Sequence, residues 1–182
     1  GVLHISTPDA VEDKQKTHLY EEIYQAKKKI RKNIAENNKD LLLKIYDERS
    51  AKEFEGPYVE KSFKEIKNRQ IKNTCLGLLS ELDTPEIQKL IKKQLENPKS
   101  ATDKIAAFSL YISTSASDKS EVIKNYELKA KDNLIEWEQY LSIIASNDSD
   151  DTLNLVKEVM NSENFDISQA NDQRALLMRF AF

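Results

Sequence analysis

Few residues in this 182-residue chain could do chemistry, and their spacing argues against most of it. The single cysteine, Cys75, excludes an internal disulfide. It lies on an apolar stripe and reads as a small buried hydrophobe. A cysteine nucleophile needs a histidine beside it, and the only histidines are His4 and His18. Two histidines so placed build neither a two-histidine zinc motif nor a Ser/His/Asp set. Glu21, Glu22 and His18 could share one helical turn, and Asp148, Asp150 and Asp151 cluster later. Neither group has metal-ligand spacing, because there is no Cys/His pair and no calcium loop with its glycine. The acidic cluster reads as favouring the N-terminus of the next helix. No glycine-rich phosphate loop is present. Lys27, Lys28, Lys29, Arg31 and Lys32 form a basic run, and Lys64, Lys67, Arg69 and Lys72 another. With a net charge of −3 and no interleaved aromatics, these are solvated helix faces, and no nucleic-acid partner is expected. The chain therefore holds no catalytic residue and no metal or cofactor site of its own.

The elements around these residues are helical. Three glycines and four prolines against 32% charged residues favour helices over a turn-rich β fold. Ile71 to Ile112 sets the pattern. Ile71, Cys75, Leu78 and Leu82 recur at helical spacing, and Asp83-Thr84-Pro85 ends one helix and opens the next. Ile87, Leu90, Ile91 and Leu95 give that helix one apolar stripe. Asn97-Pro98 ends it, and Ser100 with Asp103 makes a capping pair before Ile105, Phe108 and Ile112.

Upstream, residues 1–16 read as a lead-in. From Thr17 the pattern Leu19, Ile23, Ala26, Ile30, Ile34 is helical, and Asn37-Asn38 weakens it. Gly56-Pro57 is the clearest break. Downstream, Ser117 can cap a helix carrying Val122, Ile123, Tyr126 and Ala130. Asp132-Asn133 precedes another with Leu134, Trp137, Leu141 and Ile144. Along that stripe Trp137 should be buried and Tyr140 should sit at its edge. Roughly nine helices of similar length predict an all-α fold, an α-superhelix of antiparallel helix pairs of the armadillo or HEAT kind. Residues 17–182 would form that single domain. No run reaches the ~18 apolar residues of a membrane span, so no membrane partner is expected. The opening GVLHISTP lacks a basic region followed by an apolar one, which predicts a cytoplasmic chain.

Several ordered motifs carry a family resemblance. Lys72-Asn73-Thr74-Cys75-Leu76, followed by Ala101-Thr102-Asp103-Lys104-Ile105-Ala106-Ala107-Phe108, resembles the C-terminal helical domain of bacterial-type aminopeptidase N. There a (K/R)N-x-C-L helix precedes an N-M-T-D-x-L-A-A-L helix. Residues 133–145, NLIEWEQYLSIIA, resemble the family's D-P-L-V-x-D-K-W-F-x-L-Q-A. Residues 164–182, NFDISQANDQRALLMRFAF, resemble F-D-x-x-N-P-N-R-x-R-A-L-I-x-A-F. The resemblance runs from about Tyr20 onward.

What the resemblance implies is a piece of a larger zinc aminopeptidase that removes N-terminal residues from peptides. The parent's H-E-x-x-H motif, its zinc and its amine-holding loop are absent here and would lie upstream, in a catalytic domain. This helical domain would pack on that domain of the same polypeptide and limit which peptides enter. It would be incomplete at its C-terminus. The segment matching N-P-N-R-x-R faces the internal cavity in the family. Here Asn171 and Arg174 match, while Ala170 and Asp172 stand in place of the Pro and the first Arg. Arg174 could meet a peptide's carboxylate or backbone, or pair with a carboxylate such as Asp172. The alternative is a free-standing helical-repeat scaffold that binds a protein partner. The apolar run RALLMRFAF, Arg174 to Phe182, should expose an apolar patch.

Overall fold

The computed structural model describes residues 20–147 and 149–181. The lead-in, both histidines, Leu19, Asp148 and Phe182 lie outside the described residues. Every regular element among the described residues is helical, so the all-α expectation holds. The chain divides into two compact units, separated between Thr84 and Pro85.

The first unit contains α1 (Tyr20–Asn37), α2 (Lys39–Ala51), α3 (Tyr58–Leu79) and a 3₁₀ turn (Ser80–Leu82). The asparagine pair breaks the helix as its chemistry suggests. The side-chain amides of Asn37 and Asn38 donate back to the carbonyls of Asn33 and Ile34, both at 2.9 Å, and Asn38 itself leaves helical geometry at φ −128°. Gly56 takes φ +116° between α2 and α3, a conformation that side chains rarely adopt.

The core of this unit is Ala35, Leu42, Tyr46, Cys75, Leu76 and Leu79. It corrects the stripe read from sequence on α3. Ile71 is exposed and Leu78 is half-buried, whereas Asn68, Lys72, Cys75, Leu76 and Leu79 turn inward. The true face is rotated by about one residue, or 100°, because α2 packs there and a lysine stem can cover apolar surface as well as an isoleucine. On α1, Ile30 is half exposed and Ala35 is fully buried.

The second unit contains α4 (Pro85–Glu96), α5 (Ala101–Ile112), α6 (Lys119–Ala130), α7 (Leu134–Ala145) and α8 (Thr152–Met160). A last helical segment follows: α9 (Ala170–Gln173), a π turn (Arg174–Met178) and α10 (Arg179–Ala181). The helix starts are local chemistry. Pro85 occupies the first position of α4, where no N–H is needed. Ser100 Oγ accepts from the Asp103 amide at 3.2 Å. Asn133 Oδ1 accepts from the amides of Ile135 and Glu136 at 3.0 and 3.1 Å. Ser117 does not cap α6. That position belongs to Asp118, whose carboxylate is committed elsewhere.

A large apolar cluster joins Phe108 and Ile112 of α5, Ile123 and Tyr126 of α6, five large side chains of α7, and Leu176. Phe108 and Tyr126 stack with ring centroids 3.8 Å apart, and Trp137 stacks on Tyr140 at 5.3 Å. Trp137 is buried as expected, but Tyr140 is more deeply buried, with no accessible surface. The reason is enclosure from two sides: α6 and the last helical segment both pack on α7. Tyr140 can enter because its hydroxyl finds Glu127 Oε2 at 3.3 Å. Leu134, at the other end of the expected stripe, is exposed.

Candidate functional site

The residues singled out for chemistry separate once folded. Cys75 is buried, and that burial pushes its thiol up, with the Arg49 charge opposing it. Among the described residues, no three His, Cys, Asp or Glu side chains gather where they could hold a metal ion. No described helix is long and apolar enough to cross a membrane. The two basic runs are not continuous charged faces. Lys72 is buried, and Arg31 is a staple: its Nε donates to Glu81 Oε1 at 2.5 Å and its Nη2 to the Gly77 carbonyl at 2.9 Å. Around the acidic turn, Asp151 pairs with Lys119 at 3.4 Å and accepts from Asn154 at 3.1 Å. Thr152 Oγ1 closes the turn onto the carbonyls of Asn147 and Ser149 at 2.8 and 2.7 Å.

Glu127 is a half-buried anchor that the sequence did not announce. Ser162 and Asn164 both donate to Oε1, the latter at 2.9 Å, while Tyr140 takes Oε2. Burial, reinforced by Glu127, raises the Tyr140 phenol far above its ordinary value. A pocket of about 360 Å³ opens beside this group, walled by Ile123, Leu155, Val159 and Tyr140. The Glu127 oxygens are already taken by protein donors, so this carboxylate secures the loop after α8.

Asn171 and Arg174 lie on the last helical segment, three residues apart and therefore on neighbouring positions of one face. Both are exposed. The two residues share that face because the opposite one is pinned. Ala175 and Leu176 are buried against α7, and Asp172 is 6% exposed. Trp137 Nε1 donates to Asp172 Oδ1 at 3.1 Å, and the Asp166 amide donates to Oδ2 at 3.2 Å. The preceding turn is closed by Ser168, whose amide and hydroxyl donate to Asp166 Oδ1 at 2.8 and 2.7 Å. Those bonds hold the Asp166 carboxyl below the usual carboxylate range. Gln173 Nε2 then donates to the Ile167 carbonyl at 2.5 Å.

Asp172 is thus spent inward, and among the described residues Arg174 forms no ion pair. The pairing of Arg174 with Asp172, one of the two expectations, does not occur. What remains is a guanidinium in solvent beside an amide, a pair able to meet a carboxylate or a peptide backbone.

With this geometry in place, comparison with known proteins is informative. A family model described as "Domain of unknown function (DUF3458_C) ARM repeats" matches residues 1–182. The chain belongs to this family. Further, this DUF3458_C domain is 23% identical over 159 residues to Aminopeptidase N of Escherichia coli strain K12, a match covering 87% of the chain and 18% of that protein. Its fold is similar to a solved structure of Legionella pneumophila aminopeptidase A in complex with aspartic acid, with a TM-score of 0.83 and 19% identity. That likeness covers 98% of this chain and 22% of the other. The DUF3458_C domain therefore spans under a quarter of each relative. The resemblance to the aminopeptidase N family drawn from the motifs is upheld, as is the ARM-repeat character.

Proposed function

We propose that this helical-repeat domain is the C-terminal part of a zinc-dependent aminopeptidase that removes N-terminal residues from peptides. In this reading the domain packs against the catalytic domain of the same polypeptide and limits which peptides reach it. It supplies no bond-making residue; its contribution is exclusion and positioning. The zinc and the residues that hold it belong to the remainder of the polypeptide, in the cytoplasm. Asn171 and Arg174 face the incoming peptide and hold its carboxylate or backbone by charge-assisted hydrogen bonds.

One observation supports the reading above the others: 87% of this chain aligns with 18% of a protein named Aminopeptidase N. The exposed guanidinium of Arg174, which forms no ion pair among the described residues and lies one helical step from Asn171, is consistent with it. The test is to purify the full-length polypeptide and measure release of N-terminal residues from peptides of increasing length, and from a folded protein with a free N-terminus. Chelator-sensitive release from short peptides, fading with substrate size, is expected. Absence of any such activity would favour the free-standing scaffold, for which the exposed Val59, Phe63 and Ile66 on α3 offer an apolar stripe to a protein partner.

A further inference from the structure

We infer that Asp172 is the positioning residue of the Asn171/Arg174 site, acting by clamping the helix that carries them to Trp137. This rests on the reading that those two side chains face the peptide.

Three observations support it. Asp172 is a buried carboxylate with no ion-pair partner among the described residues, an arrangement that folding alone would not favour. Its two oxygens are divided between two neutral donors from different elements, the Trp137 indole on α7 and the Asp166 amide in the loop before α9. It thereby fixes the loop and the helix start relative to α7 in a single side chain. Two residues after it the winding changes, since Arg174 opens the π turn. A π turn spends an extra residue per turn, so the direction of the Arg174 side chain depends on where the chain is anchored just before it. Asp172 is the buried side-chain anchor nearest to Arg174 on that side. The second attachment, Ser142 Oγ to the Ala175 carbonyl at 3.5 Å, is long and cannot replace it.

The chemistry of the clamp dictates the variants. Asp172→Asn keeps size but offers an NH₂ group to one of two donors, so one buried N–H faces another. Trp137→Phe keeps a ring in the core and deletes only the indole donor. Both are made in the full-length polypeptide beside Arg174→Ala, and KM and kcat are measured for a tripeptide with a free carboxylate and for an aminoacyl-anilide, which has none. Arg174→Ala should raise KM for the tripeptide about tenfold with a smaller change in kcat. Asp172→Asn should reproduce that selective rise, and Trp137→Phe should give a weaker version. General damage to the fold would raise KM for both substrates alike.

In the 182-residue chain, where Trp137 is the only tryptophan, Asp172→Asn should also shift its emission and open it to iodide. If Asp172→Asn does not fold, Trp137→Phe carries the test by the same tripeptide-over-anilide selectivity. A selective effect of Arg174→Ala with none from either clamp variant overturns the positioning role and leaves the site reading standing. No effect of Arg174→Ala overturns the site reading, and the positioning role with it.

Discussion

The hydroxyl of Tyr111 donates to Oδ1 of Asp118 at 2.5 Å, while Lys92 holds the other carboxylate oxygen. Asp118 stands at the N-cap of α6 yet makes no capping bond with its side chain. It has exchanged a local cap for a tie among α4, α5 and α6. Tyr111→Phe should destabilise the chain by about 1.5–3 kcal/mol, the loss of one hydrogen bond to a charged acceptor. Chemical denaturation at neutral pH measures this, and a loss near zero would mean that the tie is ornamental.

The same group predicts acid behaviour. Lys92 first, and then Tyr111, hold the Asp118 carboxyl below the usual carboxylate range. A depressed folded pKa stabilises the fold above the unfolded value of about 3.9, and the contribution is lost as pH falls through the folded value. The stability difference between wild type and Asp118→Asn should therefore be present at neutral pH and shrink once Asp118 protonates in the folded state. A difference that persists unchanged in strong acid would contradict the assignment.

At the other extreme, burial raises the phenols of Tyr111, Tyr126 and Tyr140. A raised folded pKa means that full stability is kept below the unfolded tyrosine value of about 10 and falls as pH rises above it. Each buried phenol then costs up to about 1.4 kcal/mol per pH unit. Melting temperature should hold to about pH 9 and drop steeply by about pH 11, with Tyr140→Phe reducing the slope.

Exposed apolar surface makes a further prediction. Tyr58 is 84% exposed and Phe63 is 62% exposed on α3, and Met178 and Phe180 are exposed on the last segment. Of the run Arg174 to Phe182, Met178 and Phe180 are thus exposed one by one, whereas Leu176 is core. Phe63→Ser and Phe180→Ser should reduce self-association of the 182-residue chain and leave its melting temperature unchanged. Leu176→Ala should cost about 2–5 kcal/mol. The reverse ranking in a melting series would show that the two faces have been misassigned.

How far the sequence could be read depended on the range of the chemistry involved. Pro85 and Ser100 marked helix starts because a cap or a missing N–H is settled within three residues, whereas Ser117 gave way to Asp118. The inward faces were harder. Ile71 and Leu134 fit a helical stripe but face solvent, while Lys72 and Tyr140 turn in. Each depends on a neighbour distant in sequence, as Tyr140 depends on Glu127. Asn171 and Arg174 were reached only through family resemblance, since no local rule distinguishes an exposed arginine. Asp172 could not be recognised at all without Trp137, thirty-five positions earlier.

The most direct test of the account narrows the path at the site. In the full-length polypeptide, Asn171→Trp places a large ring beside Arg174, and kcat/KM is compared for a tripeptide and an aminoacyl-anilide. If this domain governs peptide entry, the ratio of tripeptide to anilide efficiency should fall about tenfold or more, with the anilide little affected. An unchanged ratio, with both substrates cleaved as by the wild type, would contradict a role for this face in admitting peptides.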